Sequence, residues 1–202
     1  MPIVPPERAD AVVRKLLAGG VAAIPTDTAY GVAALATRAD AVRALAHLKG
    51  RGEDQPVALL FDSAAVVAGY LADPRALDRV MRFWPGALTA VVRVRPGCGL
   101  SAPAVAADGT IGVRKPNDPI ARLVIRECGG LLAVTSANRH GEPPAATARA
   151  VVATFGMGLL ILDGGERPGA LQSTVVDLTC DPPRIVREGA LSAEELGLPP
   201  PA

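Results

Sequence analysis

Apolar positions along the chain fall into short runs stopped by proline or glycine, alternating with stretches of helical spacing. Val21-Ala-Ala-Ile24 ends in Pro25-Thr26-Asp27-Thr28-Ala29-Tyr30-Gly31. So short a run, stopped so abruptly, reads as a buried strand delivering hydroxyls and a carboxylate at its C-terminal end, where open α/β sheets place their ligands. After Gly31 the pattern reads as helical, with Val42, Leu45 and Ala46 on one face, and closes on Lys49-Gly50-Arg51-Gly52. Upstream, Ala9, Val12, Val13, Leu16 and Leu17 repeat at helical spacing between Pro5-Pro6 and Gly19-Gly20, with proline before and glycine after the helix. Downstream the pattern predicts strands at Val57 to Phe61, Leu88 to Val94, Thr110 to Val113, Leu131 to Val134, Leu159 to Leu162, Thr174 to Leu178 and Arg184 to Val186. Helices are expected over Pro74 to Phe83 with Leu77, Val80 and Met81 inward, from Pro119 to Cys128, over Ala148 to Thr154 and near Ser192 to Leu196. Strands and helices interleave without a strict βαβ rhythm, so a mixed α/β sheet is expected.

Composition narrows the function classes. The 202 residues are 50% hydrophobic, enough for one full core, and no repeat or linker divides them, so one domain over 1–202 is expected. A net charge of +1 offers no global attraction to a polyanion, and 3% aromatics provide no stacking platform for single-stranded nucleic acid. Cys98, Cys128 and Cys180 are scattered, outside any Cys-x-x-Cys pattern, and read as reduced thiols. With no signal-peptide core and no apolar run of ~20 residues, a cytoplasmic protein with no membrane segment is expected.

Familiar motifs are missing or misleading. There is no G-x-x-x-x-G-K-[ST] and no G-x-S-x-G. Gly97-Cys98-Gly99-Leu100-Ser101-Ala102 imitates a dinucleotide fingerprint, but Pro103 follows and no helical periodicity opens there. Two histidines, His47 and His140, are too few for a protein-built zinc site. Asp163-Gly164-Gly165 reads either as a ligand or cation position or as an ordinary turn. What recurs at the ends of successive predicted strands is a set of hydroxyls, amides and cations: Thr28 and Tyr30, Lys49 and Arg51, Thr110 and Arg114, Ser136 and Asn138, Ser173 and Thr174, and Arg187. Lys49 and Arg51 suit a polyphosphate clamp or a solvated helix end; Ser136 to Asn138 suit a ligand site or a helix cap.

Ile24-Pro-Thr-Asp-Thr-Ala-Tyr-Gly31, Lys49-x-Arg51, Phe83-Trp-Pro-Gly-Ala-Leu-Thr89, Thr110-Ile-Gly-Val-Arg114, Ser136-Ala-Asn138, Asp163-Gly-Gly165, Ser173-Thr-Val-Val-Asp177 and Arg187-x-Gly189-Ala190 together resemble the YrdC-like threonylcarbamoyl-AMP synthases, in their short bacterial form. The resemblance implies a twisted mixed β-sheet with flanking helices around a large basic cavity. It also implies a nucleotidyltransferase that joins L-threonine, bicarbonate and ATP into threonylcarbamoyl-adenylate and pyrophosphate. The product would pass to proteins that transfer the threonylcarbamoyl group to tRNA. By the same resemblance Thr28, Tyr30, Arg114 and Ser173 surround L-threonine. Lys49, Arg51, Gln55, Thr110, Ser136, Asn138 and Arg187 hold ATP, and Lys49 and Arg51 carry catalysis by stabilising charge at phosphorus. Magnesium would arrive on the triphosphate, with no dedicated protein metal site. The chain departs from longer members at Leu60 and Asp118, where those carry histidine, and in His140-Gly-Glu-Pro-Pro144. Two further classes share the scaffold: a double-stranded RNA-binding module, which would make RNA a weak partner, and a carbamoyl-transferring paralogue with a different acceptor.

Overall fold

The computed structural model describes residues 2–50, 57–139, 141–167 and 172–200. Among these, ten strands build one sheet: β1 (Ile3–Val4), β2 (Ala22–Pro25), β3 (Tyr30–Leu35), β4 (Ala58–Phe61), β5 (Leu88–Arg93), β6 (Thr110–Arg114), β7 (Leu131–Ser136), β8 (Leu160–Leu162), β9 (Thr174–Asp177) and β10 (Arg184–Arg187). Their spatial order is β1-β8-β2-β3-β7-β4-β6-β5-β9-β10. Parallel pairs (β1/β8, β2/β8, β4/β6, β5/β9) mix with antiparallel ones, which is the mixed sheet expected. The helices are α1 (Ala9–Leu17), α2 (Ala39–Lys49), α3 (Ala64–Ala68), α4 (Pro119–Glu127), α5 (Ala148–Phe155) and α6 (Ala193–Leu196).

The period-two alternation of strands explains both the core and the space left beside it. On one face Ala23, Val32, Leu59, Phe61, Ile111, Val113 and Ala133 join the main core together with Val42 and Leu45 of α2 and Val151 of α5. On the other face Ala22, Ile24, Ala33, Leu60, Leu132 and Val134 are covered by Val12 and Leu16 of α1 and Val124 and Ile125 of α4. Farther across that second face the alternate positions become small or polar: Thr110, Gly112 and Arg114 on β6, Thr89 and Val91 on β5, then Ser173 and Val175. These positions line a cavity instead of packing under a helix.

Two expectations are corrected. The stretch after Gly31 is not helical but strand β3, and α2 starts only at Ala39. Val32, Ala33 and Ala34 are buried on both faces, between β2 and β7, so they lack the alternation that would mark a strand, and periodicity alone cannot separate such a run from a buried helix. The helix expected over Pro74 to Phe83 is two 3₁₀ segments, Pro74–Arg79 and Met81–Phe83, started by Asp73 accepting from the Arg75 N–H. Three residues per turn stack Leu77 over Val80, both buried, and rotate Met81 outward to 42% exposure. The short β1 and α3 carry too few residues to show a period.

At the β3/β7 crossing Gly31 faces Ser136, and a Cβ there would stand 2.6 Å from Val134 Cγ1 and 3.3 Å from the Thr135 carbonyl oxygen. Gly31→Ala should therefore cost about 1–3 kcal/mol by overpacking, read as a lower urea midpoint; an unchanged midpoint would contradict the close approach.

Candidate ligand cavity

The cavity has a volume of about 420 Å³ and is built from four groups of side chains. The first is the hairpin between β2 and β3. Thr26 closes it: its Oγ1 donates to the Ala29 carbonyl at 2.6 Å and accepts from the N–H groups of Thr28 and Ala29 at 3.3 Å. That turn sets Asp27 and Thr28 against Arg114, at the end of β6. Arg114 is only 6% exposed; its Nη2 donates to Asp27 Oδ1 at 2.7 Å, Nη1 to Thr28 Oγ1 at 3.2 Å and Nε to the Gly86 carbonyl at 3.1 Å. A guanidinium has five N–H donors, so both Nη atoms keep capacity for a ligand.

The second group joins β5, β9 and β10. Thr89 Oγ1 and Ser173 Oγ share a hydrogen bond of 2.8 Å. Arg187 donates from Nη2 to the Ser173 carbonyl at 2.8 Å and to Ser173 Oγ at 3.4 Å, and from Nη1 to Gln172 Oε1 at 2.7 Å. All of these acceptors are neutral. Burial, and then the charge of Arg114, lower the pKa of Arg187 from its usual value. Two guanidinium groups held near one another in a partly desolvated cavity are an electrostatic arrangement that favours an anion between them.

The third group lies at the end of β7. Gly50, in the left-handed conformation at φ 64°, ends α2 and leaves Lys49 in its last turn. The Lys49 ammonium, on a residue 6% exposed, donates to the Ser136 carbonyl at 2.9 Å, to Ser136 Oγ at 3.0 Å and to Asn138 Oδ1 at 3.1 Å. The Asn138 amide in turn donates to the carbonyls of Arg139 and Glu142. The solvated-end reading of Lys49 does not describe this geometry, and no helix begins at Ser136 to Asn138 for those residues to cap. In the fourth group Thr110 Oγ1 donates its proton to Asp108 Oδ1 at 2.6 Å, so toward the cavity the hydroxyl oxygen is an acceptor.

A family model for Sua5, YciO and YrdC, described as "Telomere recombination", matches residues 14–189. The chain belongs to the Sua5/YciO/YrdC family. A Mycobacterium tuberculosis protein is 38% identical over 187 residues, covering 91% of this chain and 85% of its own length. The threonylcarbamoyl-AMP synthase of Bacillus subtilis is 34% identical over 179 residues, 87% of this chain and 51% of that longer protein. The solved structure of Pyrococcus abyssi Sua5 complexed with L-threonine superposes with a TM-score of 0.89 at 30% identity, covering 96% of this chain and 59% of the other.

Of the residues expected from the resemblance to this family, Thr28, Tyr30, Thr110, Arg114, Ser136, Ser173 and Arg187 all line the one cavity, while Lys49 and Asn138 stand behind Ser136. Arg51 and Gln55 lie outside the described residues. Tyr30 differs from the rest. The residue is 0% exposed and packed in the main core, and its hydroxyl donates to Asp163 Oδ1 or the Gly165 carbonyl and accepts from the Gly164 N–H. Asp163 also accepts from the Gly165 N–H, so Asp163-Gly-Gly165 is a turn that clasps Tyr30. Tyr30→Phe should cost about 1–2 kcal/mol through the orphaned Gly164 donor with little change in the affinity of a cavity ligand. A melt beside a threonine titration checks this, and a large loss of threonine affinity with unchanged stability would make Tyr30 a ligand group instead.

Asp27, Thr89 and Asp108 orient Arg114, Ser173 and Thr110; the sequence offered Asp27 only as a carboxylate at a strand end and gave Thr89 and Asp108 no role. Asp27 and Thr89 sat inside the motifs quoted above, and the alternation Thr89-x-Val91 beside Thr110-x-Gly112-x-Arg114 was the signal that could have found Thr89. Gly97 and Gly99 adopt positive φ in a loop followed only by the 3₁₀ segment Ala102–Ala104, so no dinucleotide helix opens there. The three cysteines are unpaired, and burial pushes the Cys128 thiol up to about 11. Among the described residues no helix is long and apolar enough to cross a membrane.

Proposed function

We propose that the chain is a threonylcarbamoyl-AMP synthase, a nucleotidyltransferase joining L-threonine, bicarbonate and ATP into threonylcarbamoyl-adenylate with release of pyrophosphate. The observation that carries the reading is the Arg114 corner: a buried guanidinium fixed by Asp27 and the Gly86 carbonyl, with Thr28 at its edge. This suits one end of a small hydroxy amino acid, the carboxylate on the Nη atoms and polar atoms near the Thr28 and Ser173 hydroxyls. The synthase name of the Bacillus subtilis relative and the L-threonine complex of the Pyrococcus abyssi relative support the same assignment.

ATP is assigned to Lys49, Ser136, Asn138, Thr110 and Arg187 around the cavity, with Arg51 and Gln55 as expected partners from the sequence. Thr110, its proton held by Asp108, serves as an acceptor for a nucleotide N–H or O–H. No covalent protein intermediate is required, because the carbamate of threonine is itself the nucleophile toward the α-phosphorus. The protein's work is to align the two and to stabilise charge as pyrophosphate leaves. Magnesium enters with the triphosphate as part of the substrate; among the described residues no three His, Cys, Asp or Glu side chains gather to hold it. The product is a reactive mixed anhydride, suited to handing its threonylcarbamoyl group to the tRNA-modifying transfer proteins expected downstream.

The test is pyrophosphate release from ATP and magnesium with each amino acid in turn, with and without bicarbonate. The expected result is release that needs both L-threonine and bicarbonate and falls at least about 10-fold with serine, which lacks the methyl group. Equal release without any amino acid would overturn the reading.

A further inference from the structure

Among the described residues, the most buried ion pair outside the cavity joins Arg167 to Asp118, with side-chain exposures of 17% and 5%. Arg167 Nη1 donates to Asp118 Oδ2 at 2.8 Å, while the other carboxylate oxygen caps α4 by accepting from the Ala121 N–H at 2.7 Å. The guanidinium crosses the Gly164-Gly165 turn that clasps Tyr30: a Cβ added at those glycines would stand 3.4 and 3.8 Å from Nη2. Arg167 Nε is buried and has no acceptor among the described residues, so Asp118 is the group that decides where this side chain rests.

The backbone of Arg167 has a separate contact. Its N–H donates to the Ala146 carbonyl at 2.8 Å, at the end of a segment that backs the cavity. The Ala145 N–H donates to the Ala137 carbonyl at 3.0 Å, and the Ala145 carbonyl accepts from the Tyr30 N–H at 2.9 Å. Pro144 is part of the cavity wall, and the Glu142 carbonyl accepts from the Asn138 amide at 2.7 Å. Residues 142–146 therefore run beside the Ser136–Asn138 turn, fastened to it through Ala137 and Asn138 and held at their far end by Arg167.

We infer that Arg167, anchored by Asp118, is a positioning residue for the nucleotide: the pair holds Pro144 to Ala146 against the Ser136–Asn138 turn and keeps that wall shaped for ATP. This rests on the proposed synthase reading, which places ATP at the turn. Neither side chain lines the cavity, so the pair acts by fixing the wall before the ligand arrives, which lowers the ordering cost of binding. Arg114, four positions before Asp118, has its own partners in Asp27, Thr28 and the Gly86 carbonyl. The threonine corner is thus held without the pair. Loss of the pair should weaken ATP and spare threonine.

The experiment measures equilibrium affinities for magnesium-ATP and for L-threonine, each alone, in the wild type, Arg167→Met, Arg167→Lys, Asp118→Asn and the double variant Arg167→Met/Asp118→Asn. Methionine removes the charge and keeps an unbranched stem; asparagine removes the charge and keeps a good helix cap. Hydrogen exchange of the Ala145 to Thr147 amides is followed in the same proteins. The expected result is an ATP affinity about 10-fold lower in each single neutral variant, with no further loss in the double variant because both changes remove the same pair. Arg167→Lys should recover part of the loss, exchange at Ala145 to Thr147 should quicken with it, and threonine affinity should stay within about 2-fold. An ATP affinity that ignores Arg167→Met, or equal losses for ATP and threonine, overturns the assignment; if the wild type still makes the adenylate, the synthase reading stands. Arg167-dependent ATP affinity in a wild type that releases no pyrophosphate upholds the positioning role and removes the synthase reading. A wild type that binds no ATP overturns both.

Discussion

Replacing Arg114 with alanine is expected to have the largest effect of any single substitution, on stability and on threonine affinity together. The guanidinium is buried and paired with a mostly buried Asp27 at 2.7 Å, with side-chain exposures of 8% and 14%. Removing one partner of a buried pair costs about 3–5 kcal/mol because the other charge is stranded; the remaining exposure of Asp27 places this case toward the lower end. A second substitution separates the structural loss from the functional one. In Asp27→Ala/Arg114→Ala the stranded carboxylate is gone, so much of the stability should return, while threonine binding stays absent because its carboxylate has no fork. Urea melts and threonine titrations on the three variants check both parts. Recovery of threonine binding in the double variant would mean that Arg114 serves only to neutralise Asp27.

Lys49→Ala is the second large effect. The ammonium satisfies the Ser136 carbonyl, Ser136 Oγ and Asn138 Oδ1, and hydrogen bonds to charged groups contribute about 1.5–3 kcal/mol, so the substitution should lower stability as well as turnover. A solvated helix-end lysine would tolerate alanine within ~0.5 kcal/mol. If Lys49 also meets the phosphates, turnover at saturating substrates should drop about 10²-fold to 10³-fold, the range for loss of one preorganised donor. Lys49→Met keeps much of the buried stem and should recover stability more than turnover. Equal recovery of both would confine Lys49 to holding the Ser136–Asn138 turn.

Which parts of this could be read in the sequence follows from the distance over which each interaction acts. Apolar runs ended by proline or glycine located most strands, because a strand's boundary is a local property. Strand β3 escaped because Val32 to Ala34 are buried on both faces, which erases the alternation, and the Met81 segment escaped because a 3₁₀ turn rotates side chains differently from an α-helix of the same residues. The cavity-lining polar residues were legible as a set because polar groups recur at strand ends and at alternate positions of β6, where Thr110 and Arg114 face the same side. Their partners were not. Arg114 and Asp27 are 87 residues apart, as are Lys49 and Ser136. Whether a lysine at a helix end is solvated or buried depends on what the fold brings to it.

The most direct test of the account is the identity of the product. Protein incubated with ATP, magnesium, L-threonine and ¹³C-labelled bicarbonate, then analysed at once by mass spectrometry, should yield threonylcarbamoyl-AMP carrying the bicarbonate carbon, together with one pyrophosphate per adenylate. An adenylate without the labelled carbon, or ATP cleaved only to ADP and phosphate, would contradict the proposal that this cavity joins the three substrates.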